Sequence, residues 1–302
     1  MTPERRARLR ARLLLACAAC SFAVMSVLAR LLSRAGTPPG ARFDAGQLTL
    51  VRFVSGVLVS LVAFRLRPGL HRPRNVRLLW SRGLSGGVVV VLYFLALERI
   101  PAGEAGILYN LFPVIAVLLS MPVFGERPTV HLALGLLAAT AGVALVLGGG
   151  ALPRHVGAGQ GFALAAAFFA AVSALFIRKM RGEDNAATIF FYFCLGGLPV
   201  ALPFALGPWP TAPRAWALAA GVGLASWLAQ LLMNEAYGAL SVPEAAALLQ
   251  LTPLAQVALA AWVLGEPLVP LAAVGAVVGV AGVIWGSVLG RRRVAPASLA
   301  AS

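Results

Sequence analysis

Two arginines stand where arginine is costly. Arg52 and Arg82 each fall within an otherwise apolar stretch, and a guanidinium at mid-helix in a bilayer costs about 2.5–3.5 kcal/mol on insertion scales. Side chains so placed turn toward a bundle interior or a wet cavity and mark a functional site by default. There, a guanidinium presents paired donors to a carboxylate or another anionic group. Snorkelling to an interface is the alternative, because Arg82 is near the start of its stretch and Arg52 near one end of its own. Neutral polar and aromatic residues accompany them: Tyr93, Tyr109 and Asn110 in the first half of the chain, and Trp227, Gln230, Asn234, Gln250, Thr252 and Gln256 in the second. Gln230 and Asn234 share one helical face, as do Thr252 and Gln256. Interhelical hydrogen bonding accounts for any one of these residues. As a group they have the make-up of a small-molecule pocket, a few polar groups among aromatics. The substrate-binding set read from the sequence is therefore Arg52, Arg82, Tyr93, Tyr109, Asn110, Trp227, Gln230, Asn234, Gln250 and Gln256.

The remaining reactive residues point elsewhere. Glu104 and Glu244 follow Pro101 and Pro243, so each sits in a first helical turn, where an acid complements the helix dipole. Glu126 and Glu266 each follow a glycine, which reads as a helix C-cap and a tight reversal. Glu235 lies close to a helix end. Cys17 and Cys20 have CxxC spacing but lie in an apolar span without the further ligands that zinc needs; small buried residues are the expected reading, and Cys194 stands alone. His71, His131 and His155 are scattered, and there is no P-loop. The sequence thus implies no metal, no cofactor and no enzyme.

These residues need elements to hold them, and composition says which. Apolar residues make up 60% of the chain, charged residues 12%, and the mean hydropathy is +0.88. A soluble domain carries roughly a quarter charged residues, so the solvent here is lipid. Apolar blocks of about 20 residues match a bilayer core. The strand-type alternation of a barrel is missing, which leaves helices as the way to satisfy the backbone. Ten spans are expected near 13–33, 46–66, 78–98, 102–121, 129–148, 159–179, 187–206, 214–238, 243–264 and 268–289. The first reads as an uncleaved helix, because too few apolar residues separate Arg12 from Cys17 for a signal core.

The formal charge of +15 does not indicate a nucleic acid partner, because the basic residues cluster at span ends and not on one soluble face. They report orientation instead. With a cytoplasmic N-terminus and ten spans, seventeen basic residues fall inside and six outside, leaving Arg52 and Arg82 within spans. Both termini are then cytoplasmic, in a multi-pass protein of the cell membrane.

Residues 96–143 align without a gap on residues 236–283, a shift of 140. Glu104 falls on Glu244, Pro113 on Pro253, Gly125-Glu126 on Gly265-Glu266, and Gly142-Val143 on Gly282-Val283. A weaker echo links Ala29-Arg30 to Ile177-Arg178. Two five-helix copies, 1–150 and 151–302, are implied, and an odd number of spans inverts the second. Pro113 and Pro253 lie mid-span, where proline removes a hydrogen bond and kinks the helix; a symmetric pair suggests two bent helices lining a pathway. Gly275/Gly279 and Gly282/Gly286 form two GxxxG spacings in the last span, suited to packing within the bundle or to a homodimer.

The stretch Ala96-Leu97, Ile100-Pro101, Ala105, Pro113, Gly125-Glu126, Gly135 and Gly142, with its second copy from Ala236 to Gly282, resembles the EamA repeat of the drug/metabolite transporter superfamily. The resemblance covers nearly the whole chain. It implies an all-α integral membrane protein of ten helices in two inverted five-helix repeats, with a central cavity between the halves and small-molecule cargo. A secondary transporter working by alternating access is the resulting expectation, with membrane lipids around it and an amino-acid-like cargo suggested by Arg52 and Arg82. A multidrug exporter of lipophilic cations is the alternative and would need an acid in the cavity, for which only Glu235 is a candidate. A lipid scramblase or membrane enzyme is a third.

Overall fold

The computed structural model describes residues 3–33, 38, 40, 42–97, 99–100, 102–148, 157–265 and 270–289. Glu266 lies outside them, as does the side chain of Glu104. The described elements are α1 (Pro3–Ser33), α2 (Ala45–Leu66), α3 (Val76–Leu97), α4 (Ala102–Tyr109), α5 (Phe112–Phe124) and α6 (Val130–Gly148), followed by α7 (Ala158–Met180), α8 (Ala186–Ala201), α9 (Pro213–Ala236), α10 (Val242–Leu249), α11 (Leu251–Leu264) and α12 (Pro270–Leu289). Among the described residues there is no strand. Eight helical segments are long and apolar enough to cross a membrane, and α6 and α12 supply shorter apolar helices. Leu58, Val62, Leu118, Val277 and Trp262 point outward. Such an exterior suits lipid, and the core is rich in alanine and glycine.

The prolines do more than kink. α4 ends at Tyr109 and α10 at Leu249, in each case the residue four before the proline. A proline ring collides with the carbonyl at that position and offers no N–H to continue the ladder. Each helix therefore stops and restarts, across Asn110 and Leu111 in the first half and across Gln250 in the second. Pro113 and Pro253 are both buried just inside the second segments. α5 and α11 then end on left-handed glycines, Gly125 at φ 66° and Gly265 at φ 65°, the C-capping role their sequence positions suggested.

Two other expectations change. α1 begins at Pro3, ten residues before the expected span, because arginine is a good helix former and nothing before Leu13 breaks the helix. At 1.5 Å per residue it is about 46 Å long, so its arginine-bearing turns extend beyond a bilayer core of about 30 Å. Cys17 and Cys20 are exposed, not buried. The packed face of α1 is Ala11, Leu15, Ala18, Ala19, Ala23 and Val27, and the two cysteines lie off that stripe.

Helix pairings come in couples that exchange the two halves. α1 packs on α9 as α3 does on α7, α1 on α11 as α5 does on α7, and α2 on α9 as α3 does on α8. The largest pairing joins α6 to α12. Its glycines allow backbone contact: a Cβ on Gly135 would lie 2.6 Å from Gly282 O, and one on Gly142 would lie 2.4 Å from Gly279 N. The GxxxG face of the last span is thus occupied within the chain.

At the face carrying the start of α1, polar links join the halves. Glu126, just after α5, accepts from Val242 N–H at the start of α10 at 2.8 Å and faces Arg178 at 3.5 Å. The first broken helix ends where the second begins. Arg12 of α1 pairs with Glu244 of α10, and Asn185 Nδ2 donates to Leu70 O at 2.7 Å. At the opposite end Phe43 packs edge-on against Trp216, which stacks on Trp209. Gln47 Nε2 there donates to Pro208 O at 3.0 Å.

Candidate functional site

Arg82 does not reach for an interface. It sits in the second turn of α3 with 4% of its surface exposed, and its guanidinium lies over the Phe193 ring of α8, 4.3 Å from the centroid. Gly86, one turn further on, leaves the room: a Cβ there would fall 2.5 Å from Arg82 Nη1 and 2.5 Å from the Phe193 ring. Arg82 Nε and Nη1 are buried without a hydrogen-bond partner. Arg52, half-buried on α2, donates from Nε to Ser226 Oγ of α9 at 3.1 Å. Both arginines lie within electrostatic reach of Tyr109 at the end of α4 and of Cys194 on α8. Among the described residues no carboxylate lies within ion-pair distance of either arginine; ion pairs such as Arg12–Glu244, Arg178–Glu126 and Arg181–Glu235 lie elsewhere.

An aromatic wall adjoins them. Tyr93 of α3 and Tyr109 have ring centroids 5.0 Å apart, and Phe112, across the break, follows Tyr109 at 5.6 Å. Trp227 of α9 packs against the Phe53, Phe190 and Phe193 cluster beneath Arg82. Stopping α4 at Tyr109 is what lets one helix deliver Tyr109 and Phe112 on a broken backbone.

On α9 the polar residues continue from the arginine contact. Gln230 and Asn234 follow Ser226 by one and two turns on one face. Gln230 is 8% exposed and its Oε1 has no partner. Asn234, fully buried, donates from Nδ2 to Ala186 O at 3.4 Å and leaves Oδ1 unpaired. The two breaks each carry an amide side chain, related by the shift of 140. Asn110 Nδ2 donates back to Gly106 O at 2.9 Å, a carbonyl that also accepts the Asn110 backbone N–H at 2.9 Å. Gln250 Nε2 donates to Thr140 Oγ1 of α6 at 2.7 Å, with Oε1 unpaired. Gln256 is half-buried on α11, and among the described residues no hydrogen bond ties it to the others.

Geometry thus places Arg52, Arg82, Tyr93, Tyr109, Trp227 and Gln230 around adjoining faces of α2, α3, α4, α8 and α9. Asn110, Asn234 and Gln250 also bond to backbone or to another helix. Sequence reasoning missed Ser226, Phe193 and Cys194, which look like ordinary span residues until α8 and α9 are packed. It also missed Gly86, although a glycine one turn from a buried arginine is a signal. Glu235, the acid a cation exporter would need, is held by Arg181 at 3.0 Å and is half exposed.

The family model described as the EamA-like transporter family matches residues 9–148 and again 157–288. The chain belongs to the EamA-like transporter family. It is 30% identical over 297 residues to a protein of Streptantibioticus cattleyicolor named "Probable terminal-alkyne amino-acid exporter", covering 90% of this chain and 96% of that one. It is 27% identical over 230 residues to the pseudopaline exporter of Pseudomonas aeruginosa, covering 74% of this chain and 77% of that one. A crystal structure shares the fold, with a TM-score of 0.78 at 24% identity over 94% of this chain and 99% of that one. With its apolar helices, this EamA-family chain is a multi-pass membrane protein and a transporter, not a member of an enzyme family.

Proposed function

We propose that this EamA-family protein is a secondary transporter that exports a small, anionic or zwitterionic, amino-acid-like metabolite by alternating access. The single observation that carries the reading is Arg82: a guanidinium buried between α3 and α8 with two nitrogens unpaired and, among the described residues, no acid beside it. Leaving a buried charge unpaired is expensive, and an anionic cargo supplies the missing partner. Export is supported by the names of the two relatives, both exporters.

Ten crossings follow when each broken helix counts as one and α6 and α12 are included with the eight longer segments. The matched helix pairings, and the meeting of Glu126 with Val242 where one broken helix ends and the other starts, support inverted halves around a central site. Cytoplasmic termini agree with the arginine asymmetry. In this arrangement Gly125 and Gly265 lie on opposite sides of the cell membrane; cysteines placed there should differ in labelling by an impermeant reagent, and equal labelling overturns the topology.

The functional test is counterflow of amino-acid-like solutes in proteoliposomes containing the purified protein. Solute exchange without lipid redistribution or product formation is expected. Lipid flip-flop without solute exchange would make it a scramblase.

A further inference from the structure

Among the described residues the charges around α8 do not balance. Arg52 and Arg82 flank α8, and both sense the same two neighbours, Tyr109 and Cys194. The contact Arg52 makes is with a neutral hydroxyl, and Arg82 rests on a neutral ring. A zwitterion with one carboxylate and one ammonium would add no net charge to such a site. One carboxylate alone would leave a guanidinium uncompensated in low dielectric, where an unpaired charge is most costly. Two carboxylates give each guanidinium a partner, and an amino dicarboxylate, with its ammonium, still brings one net negative charge where a zwitterion brings none.

Beside these donors lie acceptors that lack donors. Gln230 Oε1 and Asn234 Oδ1 are buried and unpaired, at about 6 Å and 12 Å along α9 from the Ser226 that holds Arg52. For Asn234 the side-chain orientation is set, because its nitrogen is engaged with Ala186 O. A buried carbonyl oxygen without a donor is costly, and an amine N–H on the cargo would remove that cost. Carboxylates toward α2 and α3, with an N–H toward α9, describe one class of molecule.

We infer that the cargo is an amino dicarboxylate, with Arg52 and Arg82 each taking a carboxylate and Gln230 Oε1 accepting from the amine. The inference rests on the transporter reading above and narrows it.

The test uses the full chain in lipid nanodiscs for binding and in proteoliposomes for counterflow. The probes are aspartate, glutamate and 2-aminoadipate, against glutamine, which lacks the second carboxylate, and glutarate, which lacks the amine. The best amino dicarboxylate should bind at least about tenfold more tightly than glutamine, the lower end for a charge-assisted contact in a dry site. Arg52→Gln and Arg82→Gln should each erase that preference. Gln230→Leu should weaken amino dicarboxylate binding and leave glutarate unchanged. Melting curves for each variant separate loss of binding from loss of fold, and the preference of the unaltered protein needs no variant at all. Equal affinity for glutamine and the dicarboxylates overturns the inference and leaves the transporter reading standing. If none of the probes is bound or moved, the inference falls together with the reading beneath it.

Discussion

Replacing Arg82 by methionine should make the protein more stable and useless. A guanidinium near mid-helix costs about 2.5–3.5 kcal/mol on insertion scales. Arg82 lies six residues after the first residue of α3, about 9 Å along the axis, so the lower end of that range applies. Against this stands the cation–π contact with Phe193 at 4.3 Å, which contributes about 0.5–2 kcal/mol depending on desolvation. Methionine is unbranched and can fill the space between Phe193 and Gly86. The balance favours the variant by about 1 kcal/mol, or a rise in melting temperature of a few degrees for a chain of this size. The assay is paired: thermal melting of the detergent-purified protein, and counterflow with the best probe. Higher melting with counterflow lost is the expected result. A fall in melting temperature of several degrees would instead make Arg82 a structural strut whose positive charge the fold needs.

Three further outcomes follow from named contacts. Gly86→Val puts a side chain where Arg82 Nη1 and the Phe193 ring now sit, each 2.5 Å from the Cβ, so ligand affinity should fall by about tenfold or more while far-ultraviolet circular dichroism stays unchanged. Gly135→Leu pushes into the Gly282 carbonyl and the Gly286 backbone, 2.6 Å from the Cβ; overpacking of this kind costs about 1–3 kcal/mol or more, and a lowered melting temperature should report it. Glu126→Ala strands the Val242 N–H and Arg178 together. It should cost about 1–3 kcal/mol and make a cysteine at position 242 label faster from that face.

The family and the helical membrane fold were legible in the sequence because they depend on local chemistry repeated many times. An apolar block of spanning length has few alternatives in lipid. The 140-residue shift was equally plain, since Pro113 and Pro253 keep their neighbours. Even the interruptions after Tyr109 and Leu249 follow from a proline in the next turn. Span ends were less legible. α1 runs back to Pro3 because hydropathy marks where lipid ends, not where the helix does.

The site divides along the same line. That Arg52 and Arg82 are costly, and that Gln230 and Asn234 share a face, belongs to the sequence alone. Which way the arginines turn was decided by packing: α8 brings Phe193 under one guanidinium and α9 brings Ser226 to the other. Glycines such as Gly86 and Gly142 read as ordinary small residues until another helix lies 2.5 Å or so from the missing Cβ. Burial, partner and direction are properties of two or more segments at once. A single helix carries its own pattern, but not the identity of the surface that will cover it.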